Sequence, residues 1–331
     1  MDAAAAVSDF QVILKRNLPY STVARIKVWY ENPDSHLPAD FFLKLTPGSA
    51  TDSYSIDIGK KEVEFYKRLA PEMGCPALVR CFDATYSEAS GRSSILMEGL
   101  SETHSQPEQN TAPCETLSRL AVKALAEAHA VWWNSPQLGK TVGQLFDEKM
   151  LAEFVKNLEM SVADFIKHSG VDLSTGQRKA YDLMLANANH IWGRLMNAKG
   201  LTVTHGDCHW WNFLYPKDAD IDSVRIFDWH LWHIDLGARD LAFLLALGGF
   251  AEPRPKLEKA LLHVYHETLV ANGVLDYSRE TLWEDYRWSA IRNLNIPVIF
   301  WSQGKHKSTW QTSLRRAFES FERLRCSDLF A

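Results

Sequence analysis

A chain of 331 residues, 46% apolar and 23% charged, is long enough for two domains and a large buried core. Its net charge of −5 offers no basic footprint for nucleic acid, and no apolar run approaches the ~20 residues of a membrane span. The opening MDAAAAVSDF lacks the positive region and apolar core of a secretory signal, and five scattered cysteines without a C-x-x-C pair suit a reduced, cytoplasmic protein.

Three strands are expected first, over Asp9–Lys15, Val23–Tyr30 and Asp40–Leu45, separated by the loop Asn17–Thr22 and the turn-forming Glu31–Pro38. Lys44 is a lone cation inside the third, apolar strand, a placement ordinarily found at an edge or rim. In Lys60–Leu69 the residues Val63, Tyr66 and Leu69 fall on one helical face. Ala77–Tyr86 and Ser93–Leu100 read as two further strands around the turn Glu88–Arg92. Thr103–Pro113 is a polar, proline-containing linker that suits a domain boundary. Helical periodicity then takes over, in Glu115–Trp133, Val142–Ile166, Thr175–Ala198, Pro255–Asn272, Tyr277–Trp301 and Thr309–Arg325. Strands first and helices afterwards give an α+β architecture of two lobes, 1–102 and 103–331.

The stretch Leu201–Leu247 interrupts the helices. Its two strand-like runs, Leu201–Thr204 and Ser223–Phe227, each end on a turn that carries an aspartate. The first turn is His205-Gly206-Asp207, with Asn212 five residues after the Asp; the second is Asp228-Trp229, followed by Asp240-Leu241-Ala242. Phosphoryl transfer from ATP needs a carboxylate to orient the attacking hydroxyl and accept its proton, and oxygen ligands for magnesium. Asp207 suits the first task and Asn212 with Asp228 the second, on the logic of H-R-D-x4-N and D-F-G with Gly for Arg and Trp for Phe. Asp240 is expected to cap the next helix and support the loop. A zinc site built from His205, Cys208, His209, His230 and His233 is the rival reading, but Gly206 disfavours a helix and no H-E-x-x-H glutamate is present. Cys208 is a poor nucleophile beside an aspartate, which raises a thiol pKa.

HGDxxxxN, a DW turn and DLA twelve residues later together resemble the aminoglycoside phosphotransferase and choline kinase family, most nearly its ecdysteroid-kinase-like branch. LAEAHAVWW in Glu115–Trp133 is similar to a segment of the same family. The resemblance implies a protein-kinase-like fold, with a small antiparallel-sheet N-lobe and a larger helical C-lobe. It further implies ATP and Mg2+ as cofactors and a small-molecule hydroxyl as acceptor, with no nucleic-acid or membrane partner. On this resemblance Lys44 becomes the lysine that meets the α/β-phosphates, and Glu62 in E-x-x-F-Y the glutamate that holds it. Ser21 and Thr22 belong to the loop over the phosphates, which has no glycine. Glu98 and Leu100 lie at the hinge whose backbone meets adenine. The family usually has glycine near the position of Asp235, so the loop there is expected to differ. His129 is expected to be packing. Trp283, Asp285, Tyr286, Trp288, Arg292 and Trp301 could line an acceptor pocket, and aromatic faces beside acidic groups would suit a cationic or flat-ring alcohol. A catalytically silent kinase-fold binding protein is the alternative, although it has no chemical need for Lys44, Glu62, Asp207, Asn212 and Asp228 together.

Overall fold

A computed structural model of the chain describes residues 6–32, 36–48, 53–107, 112–197, 199–218, 224–248 and 255–330. Two compact units emerge, one of Met1–Gln106 with Asn212–Trp232, the other of Pro107–Trp211 with His233–Ala331.

In the first unit, β1 (Val7–Asn17), β2 (Thr22–Tyr30), β3 (Asp40–Thr46), β4 (Cys81–Tyr86) and β5 (Ser93–Glu98) make one antiparallel sheet in the order β1-β2-β3-β5-β4. β1 outruns the expected Asp9–Lys15 at both ends and is exposed throughout, as an edge strand can be. β3 is central: Lys44 pairs with Val23 on one side and Ile95 on the other, so the lone cation is an interior position and not a rim one. Helix α1 (Ser53–Glu64) continues without a break through Phe65–Leu69 and Ala70–Met73, ending at Gly74 in the left-handed region. The periodic segment Lys60–Leu69 is therefore the middle of a longer helix, whose earlier turns, SYSIDIG, carry no regular apolar spacing.

Ala77–Tyr86 is strand only from Cys81, because its first residues bond elsewhere. Leu78 makes a parallel bridge to Ile226, and the Ile226 N–H donates to the Ala77 carbonyl at 2.7 Å. Ser223–Phe227 shortens to β9 (Arg225–Ile226), and Ser223 itself lies outside the described residues. β9 pairs with β8 (Phe213–Pro216), which pairs on its other side with β6 (His104–Ser105), so part of the expected linker is strand.

The second unit is helical around one small sheet. Its long helices are Glu115–Trp132, Glu148–His168, Pro255–Ala271, Arg279–Arg292 and Lys307–Arg323. Alanines 121, 124, 126 and 128 of the first are buried, which lets it pack closely on Pro255–Ala271. Three expectations need adjusting. The helix expected from Val142 starts at Glu148, where the Asp147 carboxylate accepts from the Met150 N–H. Thr175–Ala198 breaks at Asn187 into Thr175–Ala186 and Ala188–Asn197, and Tyr277–Trp301 breaks at Asn293–Asn295 before Pro297 in Ile296–Ser302. β7 (Leu201–Thr204) pairs antiparallel with β10 (His233–Leu236), a strand too short to announce itself by periodicity. After β10 the chain turns straight into Gly237–Leu241 and Ala242–Leu247, which is buried on all sides. No helix among the described residues is long and apolar enough to cross a membrane.

Candidate functional site

The first unit gathers three of the residues singled out in sequence. Lys44 Nζ lies 2.7 Å from Glu62 Oε2 and 2.5 Å from Asp228 Oδ1. β3 supplies the lysine, α1 the glutamate and the turn after β9 the aspartate. Trp229, fully buried, stacks on Phe65 with ring centroids 4.2 Å apart and planes at 6°, and Trp232 Nε1 donates to the Lys61 carbonyl. These contacts hold the Asp228 turn under α1. Asp228 itself has φ of 67°, a left-handed conformation that costs a non-glycine residue of order 1–3 kcal/mol and clusters at functional sites.

The electrostatics follow from burial against pairing. Burial disfavours the Lys44 ammonium, but Asp228 and Glu62 outweigh it and hold its pKa above the ordinary value. Burial likewise opposes the Asp228 anion, yet Lys44 and His230 keep that carboxyl well below the usual range. For Glu62 burial wins and its pKa rises. The Glu62 Oε1 atom is buried and bonded to nothing among the described residues, so the glutamate serves Lys44 alone.

His230, named in sequence only as a ligand of the rival zinc site, is a functional candidate of another kind. Its Nδ1–H donates to Asp228 Oδ1 at 2.8 Å, the same oxygen that Lys44 holds. Asp228 Oδ2 has no partner among the described residues and is not sealed from solvent. One oxygen is thus fixed by two donors and the other is open, which suits a monodentate bond to a hard cation. Asn212 is buried just before β8, and its carbonyl accepts from Phe227 N–H, one residue before Asp228. An oxygen-only donor set of Asp228 and the Asn212 amide fits Mg2+ and does not favour zinc.

A cavity of about 310 Å³ in the same unit is walled by Phe42, Val79, Met97, Leu100, Leu214 and Phe227. Glu98 borders it, but its backbone N–H donates to the Arg80 carbonyl and its carboxylate accepts from Arg80 N–H at 2.8 Å. The Leu100 N–H has no partner among the described residues, while the Leu100 carbonyl accepts from His104 N–H. Of the two hinge residues, Leu100 is the one with a donor to spare. Ser21 is buried in the β1–β2 turn. Thr22 pairs with Leu45 and so faces away from Lys44, and its hydroxyl donates to Asn17 Oδ1 at 3.0 Å. The structure does not bring Thr22 to the lysine.

In the second unit, Asp207 follows Gly206, whose φ of 81° turns the chain sharply after β7. Its Oδ2 lies 3.3 Å from His209 Nε2, and the His209 ring stacks on Trp211 at 3.5 Å. Asp240 fastens the loop from below. Its two oxygens accept the His205 N–H at 2.6 Å and the Gly206 N–H at 3.1 Å. His129, buried in its long helix, lies 3.1 Å from Asp240 and 2.7 Å from the Tyr265 hydroxyl. Burial opposes the Asp240 anion, but His129 and the loop N–H outweigh it and lower the pKa. Asp240 supports the loop as expected but caps nothing, since Leu236 occupies the N-cap without a side-chain bond. His129 is more than packing, and only the fold could show that.

The histidines of the rival zinc reading are dispersed. His209, His230 and His233 each sit beside a different carboxylate, Asp207, Asp228 and Asp235, and burial pushes the Cys208 thiol up. Among the described residues no three metal-ligating side chains cluster. The aromatic helix is mostly interior. Asp285 is held by Arg194 and the Tyr277 hydroxyl, Tyr286 by Glu258, and Asp235 is fully buried against Arg292. The acid proposed to meet a cationic acceptor is therefore already neutralised.

The comparisons bear on the fold and the family. The sequence pattern of the ecdysteroid kinase-like family matches residues 19–275. A search of curated proteins finds no match. Among solved structures, the GDP complex of wild-type aminoglycoside 2'-phosphotransferase-IIIa superposes with a TM-score of 0.56 at 14% identity, covering 98% of this chain and 94% of the other. Choline kinase from Cryptosporidium parvum Iowa II gives 0.56 at 10% identity, with 96% and 89% covered. Plasmodium vivax ethanolamine kinase gives 0.57 at 12%, with 94% and 81% covered. At these identities the likeness establishes a protein-kinase-like α+β fold, and the match over residues 19–275 establishes the lineage: the chain belongs to the ecdysteroid kinase-like family.

Proposed function

We propose that this chain is an ATP- and Mg2+-dependent phosphotransferase that phosphorylates a hydroxyl group of a small molecule. The observation that carries the reading is the convergence of Lys44 and Glu62 on Asp228, with one Asp228 oxygen left open. Relatives with this fold are named as aminoglycoside, choline and ethanolamine kinases, which supports the class of reaction.

Each residue then has a task. Lys44, aimed by Glu62, meets the α/β-phosphate oxygens of the nucleotide. Asp228 and Asn212 would hold magnesium, which would supply positive charge to the phosphates. The apolar cavity takes the adenine ring, and the Leu100 N–H donates to it. Thr22 contributes through the shape of its hairpin. Asp207 orients the acceptor hydroxyl and takes its proton as the new O–P bond forms and the bond to ADP breaks. Positioning dominates in a loose phosphoryl transition state, so an ordinary carboxylate is base enough. The test is transfer of labelled γ-phosphate from ATP to a library of small alcohols, with and without EDTA. Metal-dependent labelling of at least one alcohol is expected; hydrolysis or labelling that ignores EDTA contradicts the reading.

A further inference from the structure

The second unit holds a guanidinium with unused donors near the Asp207 loop. Asp235, fully buried on β10, is gripped by both terminal nitrogens of Arg292 at 2.8 and 2.6 Å, so its two oxygens are spent. Arg239, four residues on and half-buried, has no such partner. Its Nη1 donates only to neutral acceptors, the Asn293 side chain and the Ser289 carbonyl. Among the described residues its Nε and Nη2 have no partner and are not sealed from solvent, and no carboxylate lies within ion-pair distance. Burial, reinforced by the neighbouring Arg292 charge, pushes the Arg239 pKa down to about 10, against the opposing pull of Asp235 and Asp240. Two further polar atoms in the cluster, Ser289 Oγ and Arg292 Nε, are buried without partners. A desolvated guanidinium whose Nε and Nη2 donate to nothing is costly and points to a missing anion on that edge.

The position of this cation gives it a use. Arg239 Cζ lies 5.7 Å from the Phe243 ring centroid, that ring is 6.5 Å from the His209 ring, and His209 Nε2 is 3.3 Å from Asp207 Oδ2. Two aromatic rings therefore separate the proposed base from an open guanidinium edge. The Nε–Nη2 edge is the one that takes a carboxylate or phosphate in two parallel bonds.

We propose that Arg239 is the acceptor-recognition residue of this site and that the acceptor is an alcohol bearing an oxyanion group. A cationic amino alcohol would meet the guanidinium with like charge and be rejected. The inference rests on the kinase reading for the word acceptor, but the anion site stands or falls by binding alone.

The test therefore reads binding before turnover. The probes are hydroxy acids of increasing chain length from glycolate upward, together with meta-(hydroxymethyl)benzoate, each beside its methyl ester and its amine analogue. Ligand-observed NMR against the full chain is expected to show at least one acid binding more tightly than its ester and amine. Arg239→Gln should erase that preference, a loss of about 10- to 100-fold in affinity for the acid, the usual worth of a hydrogen bond to a charged group. Ester binding and the melting temperature should hardly move, whereas a merely structural Arg239 would weaken acid and ester alike. Arg239→Lys, which keeps the charge and loses the fork, should retain part of the preference. No acid favoured over its ester, or a preference that survives Arg239→Gln, overturns the proposal. Mg-ATP binding, measured separately in each protein, tells this failure from a failure of the kinase reading.

Discussion

At the residue scale, the proposed roles are proton transfer for Asp207 and metal binding for Asp228. Asp207→Asn keeps the size and most hydrogen bonding of the side chain but removes the proton acceptor. Turnover should fall by roughly 10²–10⁴, the usual share of a positioned base, while Mg-ATP affinity is unchanged. Measuring kcat and nucleotide affinity in this one variant separates the roles, since lost ATP binding would make Asp207 a structural or metal residue. His230 acts one bond further out. With its Nδ1–H gone, Asp228 is held only by Lys44 and its open oxygen is less well aimed. His230→Ala should weaken Mn2+ binding, read by electron paramagnetic resonance, by about 10–100-fold, the range for residues that orient a metal ligand. His230→Gln should restore part of it, and undiminished Mn2+ affinity in the alanine variant would remove His230 from the site. Asp207, Asn212 and Asp228 stand out in sequence because the proposed chemistry is written in their spacing. His230 does not, because nothing among the four histidines of the stretch marks the one whose ring turns back to its own aspartate.

At the element scale, legibility tracked periodicity. The sheet strands, the long helices and the lysine-bearing β3 were all readable, since each buries one face over several residues. The starts of α1 and of the helix from Glu148, the break at Asn187 and the four-residue β10 were not, because tertiary contacts set them. The junction after β10 shows how tightly. A Cβ on Gly237 would come within 2.8 Å of the Trp133 ring and nearer still to the Tyr265 hydroxyl, which bonds His129 beneath Asp240. Gly237→Ala should therefore cost about 1–3 kcal/mol, as overpacking of a filled core does, despite the better helix propensity of alanine. Chemical denaturation measures it. A stabilised variant would show that this junction has slack.

At the scale of the whole molecule, three buried carboxylates, in Asp228, Asp235 and Asp240, have pKa values below the ordinary range because cations and N–H donors outweigh burial. A depressed folded pKa contributes stability that is present above the unfolded pKa of about 3.9 and lost as pH falls through the folded value. Glu62, raised by burial, works in the opposite sense. Asp285 is raised by burial too, but three lowered carboxylates against two raised ones still make the melting temperature drop below about pH 4, near the unfolded carboxylate pKa; a flat melting temperature down to strong acid would deny that these pairs are charged in the fold. The α+β class, the kinase-like fold and the family were all legible, carried by three motifs in order and spacing. The acceptor was not. Sequence placed Asp285 on an aromatic helix as if to receive a cation, and only the fold shows it spent on Arg194 while Arg239 stays open.

The central claim is that Lys44, Glu62 and Asp228 form a Mg-nucleotide site. Calorimetric titration of the full chain with ATP in magnesium, repeated in EDTA and with Asp228→Asn, tests it most directly. The account predicts saturable binding that weakens strongly in EDTA, and a variant that stays folded but gains little from magnesium. No binding at millimolar ATP with magnesium, or binding indifferent to both EDTA and Asp228→Asn, would contradict it.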